Sequence, residues 1–224
     1  MVIGNGLMAS AFTDYQNDDR FVIFASGVSD SSETDCNKFL REENLLNKTL
    51  RENRHKHIIY FSSFIDQSKK PYIEHKERME DIIEFSNVPY TIIKLPQAVG
   101  RGGNPNNLFN YFVNNIRDGK EINVYHNTFR SLIDVDDIKK IVDTLINNSR
   151  YKNEYIVFPY IEKMYIMHIV HLISKALGIE PRINLIDAEP FDFPKRTYLV
   201  KYVLRYLNIS PEGYTERVIN KYVR

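Results

Sequence analysis

The sequence predicts an α/β fold, a parallel sheet with helices on both faces followed by a small C-terminal cap, and three observations point to it. Short apolar runs rich in β-branched and aromatic residues alternate with longer polar stretches of helical spacing, the pattern of βαβ units. One of these runs, Ile58-Ile59-Tyr60-Phe61, is apolar throughout, as a strand covered on both faces is. A glycine-containing turn, Gly4-Asn5-Gly6, follows the first run directly and precedes a helix-like segment.

The expected strands are Met1–Ile3, Phe21–Ser26, His57–Phe61, Tyr90–Leu95 and Tyr155–Phe158. Between them, Lys38–Glu52 carries Phe39, Leu45, Leu46 and Leu50 at helical spacing, and Lys76–Glu84 carries Met79, Ile82 and Ile83. A third helix is expected over Ile133–Ile146, entered through Asp134, Asp136 and Asp137, whose carboxylates suit the positive end of a helix dipole. A fourth is expected over Lys163–Leu177, stopped by Gly178. The tail is punctuated by Pro181, Pro190, Pro194 and Pro211, holds one more helical stretch near Tyr198–Leu207, and reads as a cap rather than more sheet.

Bulk properties exclude several classes of function. Of 224 residues, 43% are hydrophobic and 26% charged, an ordinary balance for a chain that buries a core. A formal net charge of +1 leaves no electrostatic footprint for nucleic acid or an anionic membrane. No apolar run approaches the roughly 20 residues that cross a bilayer. The opening Met1-Val2-Ile3-Gly4 lacks the basic, apolar and cleavage regions of a secretion signal. Cys36 is the one cysteine, so no internal disulfide is possible. The expectation is a cytoplasmic protein with no metal site.

Gly4-Asn5-Gly6-Leu7-Met8-Ala9 fits the pattern G-x-G-x-x-A. The first glycine permits a tight strand-to-helix turn, the second lets a pyrophosphate approach the backbone, and the small third residue lets helix and strand pack closely. A turn that merely begins a helix explains the same residues. A dinucleotide site also needs an acidic residue about 20 residues on, at the end of a second strand. Here Phe21–Ser26 already reads as a later strand, and Asp14, Asp18 and Asp19 read as solvated turn residues rather than ribose ligands.

Further along, the strand ending in Ser62-Ser63 is followed by a loop and then by Tyr72-Ile73-Glu74-His75-Lys76, which opens a helix after Pro71. Positions i and i+4 share a helix face, so Lys76 can sit beneath Tyr72 and lower its phenol pKa. A serine hydroxyl at the neighbouring strand end completes a general acid/base site for interconverting an alcohol and a ketone. The competing explanation is a chance solvated pair. His75 and Glu74 point elsewhere by helical geometry and read as solvent-facing.

Taken together, these residues resemble the extended short-chain dehydrogenase/reductase superfamily, in particular its nucleotide-sugar epimerases, dehydratases and 4-ketoreductases. Similarity runs over residues 1–160 in matching order. Phe24-Ala25-Ser26-Gly27-Val28 resembles the strand end lining the nicotinamide ribose, the segment Lys94 to Gly103 the one after the sixth strand, and Arg130 to Asp137 the "R…V.D" stretch. The resemblance implies a Rossmann-like domain over 1–160, with a substrate-contacting insert at about 101–133, and a substrate cap over 161–224. It implies Tyr72 as acid/base, Lys76 as its tuner and ribose anchor, and Ser63 in preference to Ser62. Gly4, Gly6 and Leu7 would meet the pyrophosphate; Ala25, Ser26, Gly27 and Pro96 would border the cofactor, NADP or NAD. Asn106 or Asn107 would approach the substrate and Arg130 its phosphate, although a surface salt bridge to Asp134 or Asp136 also explains Arg130. Gly102 and Gly103 fit a flexible turn equally well.

Two departures stand out. The family's second and third strands are missing, about 40 residues by the size of a βαβ unit, and the loop from Ser63 to Tyr72 is short and lacks the usual Tyr-Gly. The expected function is an NAD(P)-dependent oxidoreductase acting on a nucleotide-linked sugar, by 4-keto reduction in deoxysugar or polysaccharide precursor synthesis. An epimerase of the same superfamily, which must retain its cofactor between half-reactions, and a non-catalytic binding protein are the alternatives. A homodimer through helices Lys38–Glu52 and Lys76–Glu84 is a further expectation.

Overall fold

A computed structural model describes residues 1–63, 70–146, 152–158, 160–187, 201 and 204–223. In chain order, β1 (Val2–Ile3) leads into α1 (Leu7–Ala11), a 3-10 turn (Thr13–Tyr15), β2 (Phe21–Phe24), α2 (Cys36–Glu52), β3 (His57–Ser63), α3 (Pro71–Glu84) and β4 (Tyr90–Leu95). There follow β5 (Gln97–Val99), α4 (Leu108–Arg117), β6 (Glu121–His126), β7 (Phe129–Arg130), β8 (Leu132–Asp134) and α5 (Val135–Ile146). The chain continues through β9 (Glu154–Val157), β10 (Met164–Tyr165), α6 (Ile166–Leu177), β11 (Arg182–Asp187) and α7 (Tyr214–Tyr222). The chain divides into two compact units, Met1–Leu95 with Lys139–Val157, and Pro96–Ile138 with Phe158–Arg224.

The first unit is the Rossmann-like sheet. Its five strands run in the order β1-β2-β3-β4-β9, every pair parallel. Alternation places Val22, Phe24, Ile58, Tyr60 and Ile92 in one core with Leu46 and Leu50 of α2 and Met79 and Ile83 of α3. The opposite face meets the turn after α1: the Phe12 and Phe61 ring centroids lie 5.3 Å apart, and those of Tyr15 and Phe21 6.1 Å. The second half of α5 joins that layer through Tyr15 Oη donating to Asp143 at 2.7 Å and Lys139 pairing with Asp14 at 2.8 Å. Both faces are thus covered, which is why β2 and β3 lack polar-apolar alternation.

Each helix starts where local chemistry permits it. The Asp35 side chain accepts from the Asn37 N–H at the start of α2, whereas α3 starts on Pro71, whose missing N–H costs nothing there. α6 ends as expected on Gly178, left-handed at φ 68°. Two expected helices begin later than their periodicity suggested, because strand pairing captures their first residues. Ile133 and Asp134 pair in β8 with Ala98 and Val99, and Met164 and Tyr165 pair in β10 with Arg130 and Phe129. Part of the helical stretch expected near Tyr198–Leu207 lies outside the described residues.

The second unit pairs its strands in twos, β5 with β8 and β6 with β11 in parallel, β7 with β10 antiparallel. Ile122 and Val124 of β6 are buried, as are Phe109, Phe112, Val113 and Ile116 of α4 and Ile166, Ile169, Val170 and Ile173 of α6. At the entrance to α5, Asp134 accepts from the Asp136 N–H at 2.9 Å, from Lys221 at 2.6 Å and from Tyr222 at 2.6 Å. The acidic helix entrance read from the sequence is therefore also the anchor of α7.

The glycine turn has a steric basis. Gly4 has φ 124°, and a Cβ there would stand 2.5 Å from the carbonyl oxygen of Ala25. At Gly6 an added Cβ would meet nothing within 4 Å. Gly4→Ala is therefore expected to lower stability by roughly 2 kcal/mol or more, as strained backbone and close contacts do, whereas Gly6→Ala changes it little. Urea denaturation of the two variants checks this, and equal costs would contradict it.

Candidate active site

β3 and α3 carry the serine pair and the tyrosine–lysine pair singled out in the sequence, and both elements belong to the first unit. Tyr72 and Lys76 occupy one face of α3, and the Lys76 Nζ lies 5.7 Å from the centre of the Tyr72 ring, the neighbour relation that i, i+4 spacing requires. Both side chains are buried. The serines separate by pleat. Ser62 is buried and donates to Glu80 of α3, which Lys94 of β4 holds at 2.7 Å. Ser63, next along the strand, alternates to the other face and is half-buried. Burial raises the Glu80 carboxyl pKa, although Lys94 and Ser62 pull it back. Residues 64–69 of the connecting loop, whose shortness the sequence suggested, lie outside the described residues.

The direct partner of Lys76 is a residue that the motif did not include. Glu42 of α2, with no exposed surface, accepts from Lys76 Nζ at 3.0 Å. The same carboxylate accepts from the Val28 N–H at 2.7 Å and from Tyr60 Oη at 3.2 Å, and its Oε2 lies 2.9 Å from His75 Nε2. Lys76 also donates to Tyr60 Oη at 3.2 Å. His75 is thus not solvent-facing as its sequence position suggested. Its ring is buried, stacks on Phe39 at 4.6 Å and turns inward to Glu42, while Glu74 does face solvent.

Charge in this cluster is held by partners rather than by water. Burial alone would raise the Glu42 pKa, but the His75 hydrogen bond, the Lys76 charge and the Val28 N–H outweigh it and bring it down to about 2. Burial likewise opposes the Lys76 charge, yet the oxygens of Tyr60 and Glu42 raise its pKa above the ordinary value. Tyr60 is raised by burial and stays a phenol.

Sequence reading missed Glu42 and Tyr60 because each sits inside an apolar pattern. Glu42 lies on the stripe with Leu46, Thr49 and Leu50, all buried, so a carboxylate at a core position of an amphipathic helix was the available signal.

The residues of the first unit that the sequence assigns to a cofactor converge. Gly4 abuts the backbone of Ala25 and Ser26, and a Cβ on Gly27 would meet Lys76 Nζ at 2.9 Å and Glu42 Oε1 at 3.2 Å. The glycine turn, the exit of β2 and the lysine of α3 therefore share one corner. A pyrophosphate fits that turn sterically, since the face of Gly6 is open, although α1 has only five residues and so a small dipole.

The adenine end is different. β1 pairs with β2 and has no second neighbour among the described residues. Asp14 pairs with Lys139, Asp18 with Arg20 at 2.7 Å and Asp19 with Lys56 at 3.5 Å. Asp18 departs from the solvated reading, as its side chain is 17% exposed and gripped by the guanidinium.

Pro96, Asn106, Asn107 and Arg130 belong to the second unit. Asn107 caps α4, its side chain accepting from the Asn110 N–H at 2.8 Å, and the Asn106 N–H donates to Asn104 at 2.9 Å. Arg130 donates to the Phe129 carbonyl at 2.8 Å, while Lys221 takes the carboxylates of Asp134 and Asp136. Among the described residues no cluster of side chains could hold a metal ion.

Because each ion of a buried pair leaves the other uncompensated, Lys76→Met is expected to cost about 3–5 kcal/mol, and Glu42→Gln/Lys76→Met to restore most of it. The Glu42 pKa is depressed on folding, so its contribution is present above about pH 4.5 and is lost as pH falls towards 2. Urea denaturation at pH 7 and pH 3 should show that acid loss in the unaltered protein and a smaller one in the double variant.

Residues 59–158 match the model of the NAD dependent epimerase/dehydratase family. No curated protein sequence matches the chain. Among solved structures, UDP-glucuronic acid 4-epimerase from Bacillus cereus, in complex with UDP-glucuronic acid and NAD, superposes with a TM-score of 0.74 at 16% identity, over 95% of this chain and 77% of that one. UDP-N-acetylglucosamine 4-epimerase from Methanobrevibacter ruminantium gives 0.70 at 16% identity, over 99% and 81%. dTDP-glucose 4,6-dehydratase from Bacillus anthracis, in complex with NAD, gives 0.70 at 13% identity, over 97% and 76%. At such identities the superpositions speak for the fold, while the family match covers Ser62, Ser63, Tyr72 and Lys76 directly. The chain shares the α/β fold of these structures, and its segment from β3 to β9 matches the model of the NAD dependent epimerase/dehydratase family.

Proposed function

We propose that this protein is an NAD(P)-dependent oxidoreductase acting on a nucleotide-linked sugar, working as a 4-keto reductase. The observation that carries the reading is Tyr72 and Lys76 together on one face of α3, the helix to which Ser62 of β3 is hydrogen-bonded through Glu80, within the segment that matches the family. NADP or NAD, bound in its reduced form as NADPH or NADH, would supply the hydride. Backbone at Gly4, Gly6 and Leu7 receives the pyrophosphate, and Ala25, Ser26 and Gly27 border the ribose beside Lys76. Ser63 hydrogen-bonds the substrate carbonyl, and Tyr72 Oη delivers the proton to its oxygen. Pro96 borders the nicotinamide, Arg130 takes a substrate phosphate, and Asn106 approaches the sugar with Asn107, whose side chain also caps the helix. Residues 1–160 act as the cofactor domain, with 101–133 contacting substrate and 161–224 capping it.

Reduction is favoured over epimerisation because each turnover takes fresh cofactor. A sheet that among the described residues ends at β1 gives the adenine less to bind, a handicap for an enzyme that must keep its cofactor between half-reactions. No helix among the described residues is long and apolar enough to cross a membrane, in keeping with a cytoplasmic site of action. α2 and α3 are the faces proposed to pair in a homodimer.

A second reading, a non-catalytic Rossmann-like binding protein that has lost tight cofactor binding, draws support from the engagement of Lys76 by Glu42. Fluorescence titration separates the two cleanly, since the chain has no tryptophan to obscure NADH or NADPH emission. Binding of either cofactor at up to millimolar concentration is expected. With a 4-keto nucleotide sugar as substrate, Tyr72→Phe is expected to lower turnover by about 10²–10⁴-fold without abolishing cofactor binding. Absence of binding removes the oxidoreductase reading, and unchanged turnover in Tyr72→Phe removes the mechanism.

A further inference from the structure

Lys76 has three neighbours that could use its charge, Glu42, Tyr60 at 3.2 Å and Tyr72, and geometry ranks them. The Glu42 carboxylate is 3.0 Å from Nζ, in direct ion-pair contact, while the Tyr72 ring centre is 5.7 Å away. Groups facing the ammonium come from every element around it: Glu42 from α2, Tyr60 from β3, Tyr72 and His75 from α3 itself, and the Gly27–Val28 backbone from the loop after β2. Of these, Glu42 is the carboxylate. The Glu43 carboxylate, next on α2, points outward to Arg78, and Glu80, one turn beyond Lys76, is taken by Lys94 and Ser62.

Glu42 is also fixed in place. One carboxylate that serves Lys76, Tyr60, the Val28 N–H and His75 cannot swing aside to release the lysine without leaving several buried polar groups unpaired. Space closes the remaining exit, because the pair fills the volume that a side chain on Gly27 would need.

We propose that Glu42, held by His75, is a positioning residue that cancels the charge of Lys76 towards Tyr72, so that Tyr72 works as a proton donor, the role that reduction of a carbonyl asks of it. This rests on the oxidoreductase reading and deepens it. In reduction the carbonyl carbon accepts a hydride, the C=O π pair becomes the bond to the Tyr72 proton, NADPH or NADH is oxidised, and solvent reprotonates the phenolate. The reverse reaction needs the phenolate at the outset, which an uncompensated lysine would supply and a compensated one does not.

The test reads Tyr72 directly and needs neither cofactor nor substrate, so it stands apart from whether the oxidoreductase reading holds. The titration midpoint of the Tyr72 hydroxyl is taken as the difference in phenolate absorbance between a protein and its Tyr72→Phe counterpart. Removing the counter-charge in Glu42→Gln is expected to lower that midpoint by about 1–2 units relative to the unaltered protein. A midpoint that is unchanged or raised overturns the proposal. Should Glu42→Gln fail to fold, Glu42→Gln/Lys76→Met decides alone. A neutral pair presents the same net charge as a compensated one, so its midpoint is expected within about half a unit of the unaltered protein. A larger rise shows that Lys76 acts on Tyr72 uncompensated, and overturns the proposal.

Discussion

A carboxylate at the centre of a protein core is tolerated only where charge and hydrogen bonds replace the water it has lost. Glu42 meets that condition with the Lys76 ammonium, the His75 imidazole, the Tyr60 hydroxyl and the Val28 amide, and so ties α2, the exit of β2, β3 and α3 into one arrangement. Apolar packing of Leu46, Met79 and Ile83 against the sheet brings these elements together without specifying their register. The polar cluster adds that specification, because a shift of any member strands a buried charge. Tyr72 and Lys76 of the candidate site are consequently part of the core.

The sheet explains a second property of the site. In a doubly wound fold, ligands bind where the strand order reverses, since helices there diverge to opposite faces and open a crevice. Here β1 through β4 lie side by side in chain order, and β1 has only two residues. Gly4 still makes the close approach to Ala25 and Ser26 that a glycine turn provides. The aspartates that follow, Asp14, Asp18 and Asp19, are engaged with Lys139, Arg20 and Lys56, so they strengthen the turn between β1 and β2. Selection for folding and selection for holding a ribose ask different things of the same residues, and these aspartates serve folding.

The second unit applies the same economy to residues that resemble substrate ligands. Asn107 starts α4, and Asp134 starts α5 while receiving Lys221 and Tyr222 from α7. A residue that caps a helix has one of its polar atoms committed, which narrows what it can offer a ligand.

Much of the fold was legible in the residues alone. The strand runs Phe21–Ser26, His57–Phe61 and Tyr90–Leu95 fall on β2, β3 and β4, and Pro71 and Gly178 mark helix ends because their backbone chemistry is local. The neighbour relation of Tyr72 and Lys76 was legible for the same reason, since helical periodicity alone places i and i+4 together. The paired strands of the second unit were not, because β5, β7, β8 and β10 have two or three residues each and exist only through their partners. Nor was Glu42: its place on the buried stripe of α2 names no partner until the fold brings a lysine 34 residues away to within 3.0 Å. By itself the sequence determined the parallel α/β layers, the glycine turn and the tyrosine–lysine face, all consequences of backbone preference and short-range periodicity. Tertiary structure alone decided which charge Lys76 answers to, because that depends on burial and on contacts between elements distant in the chain.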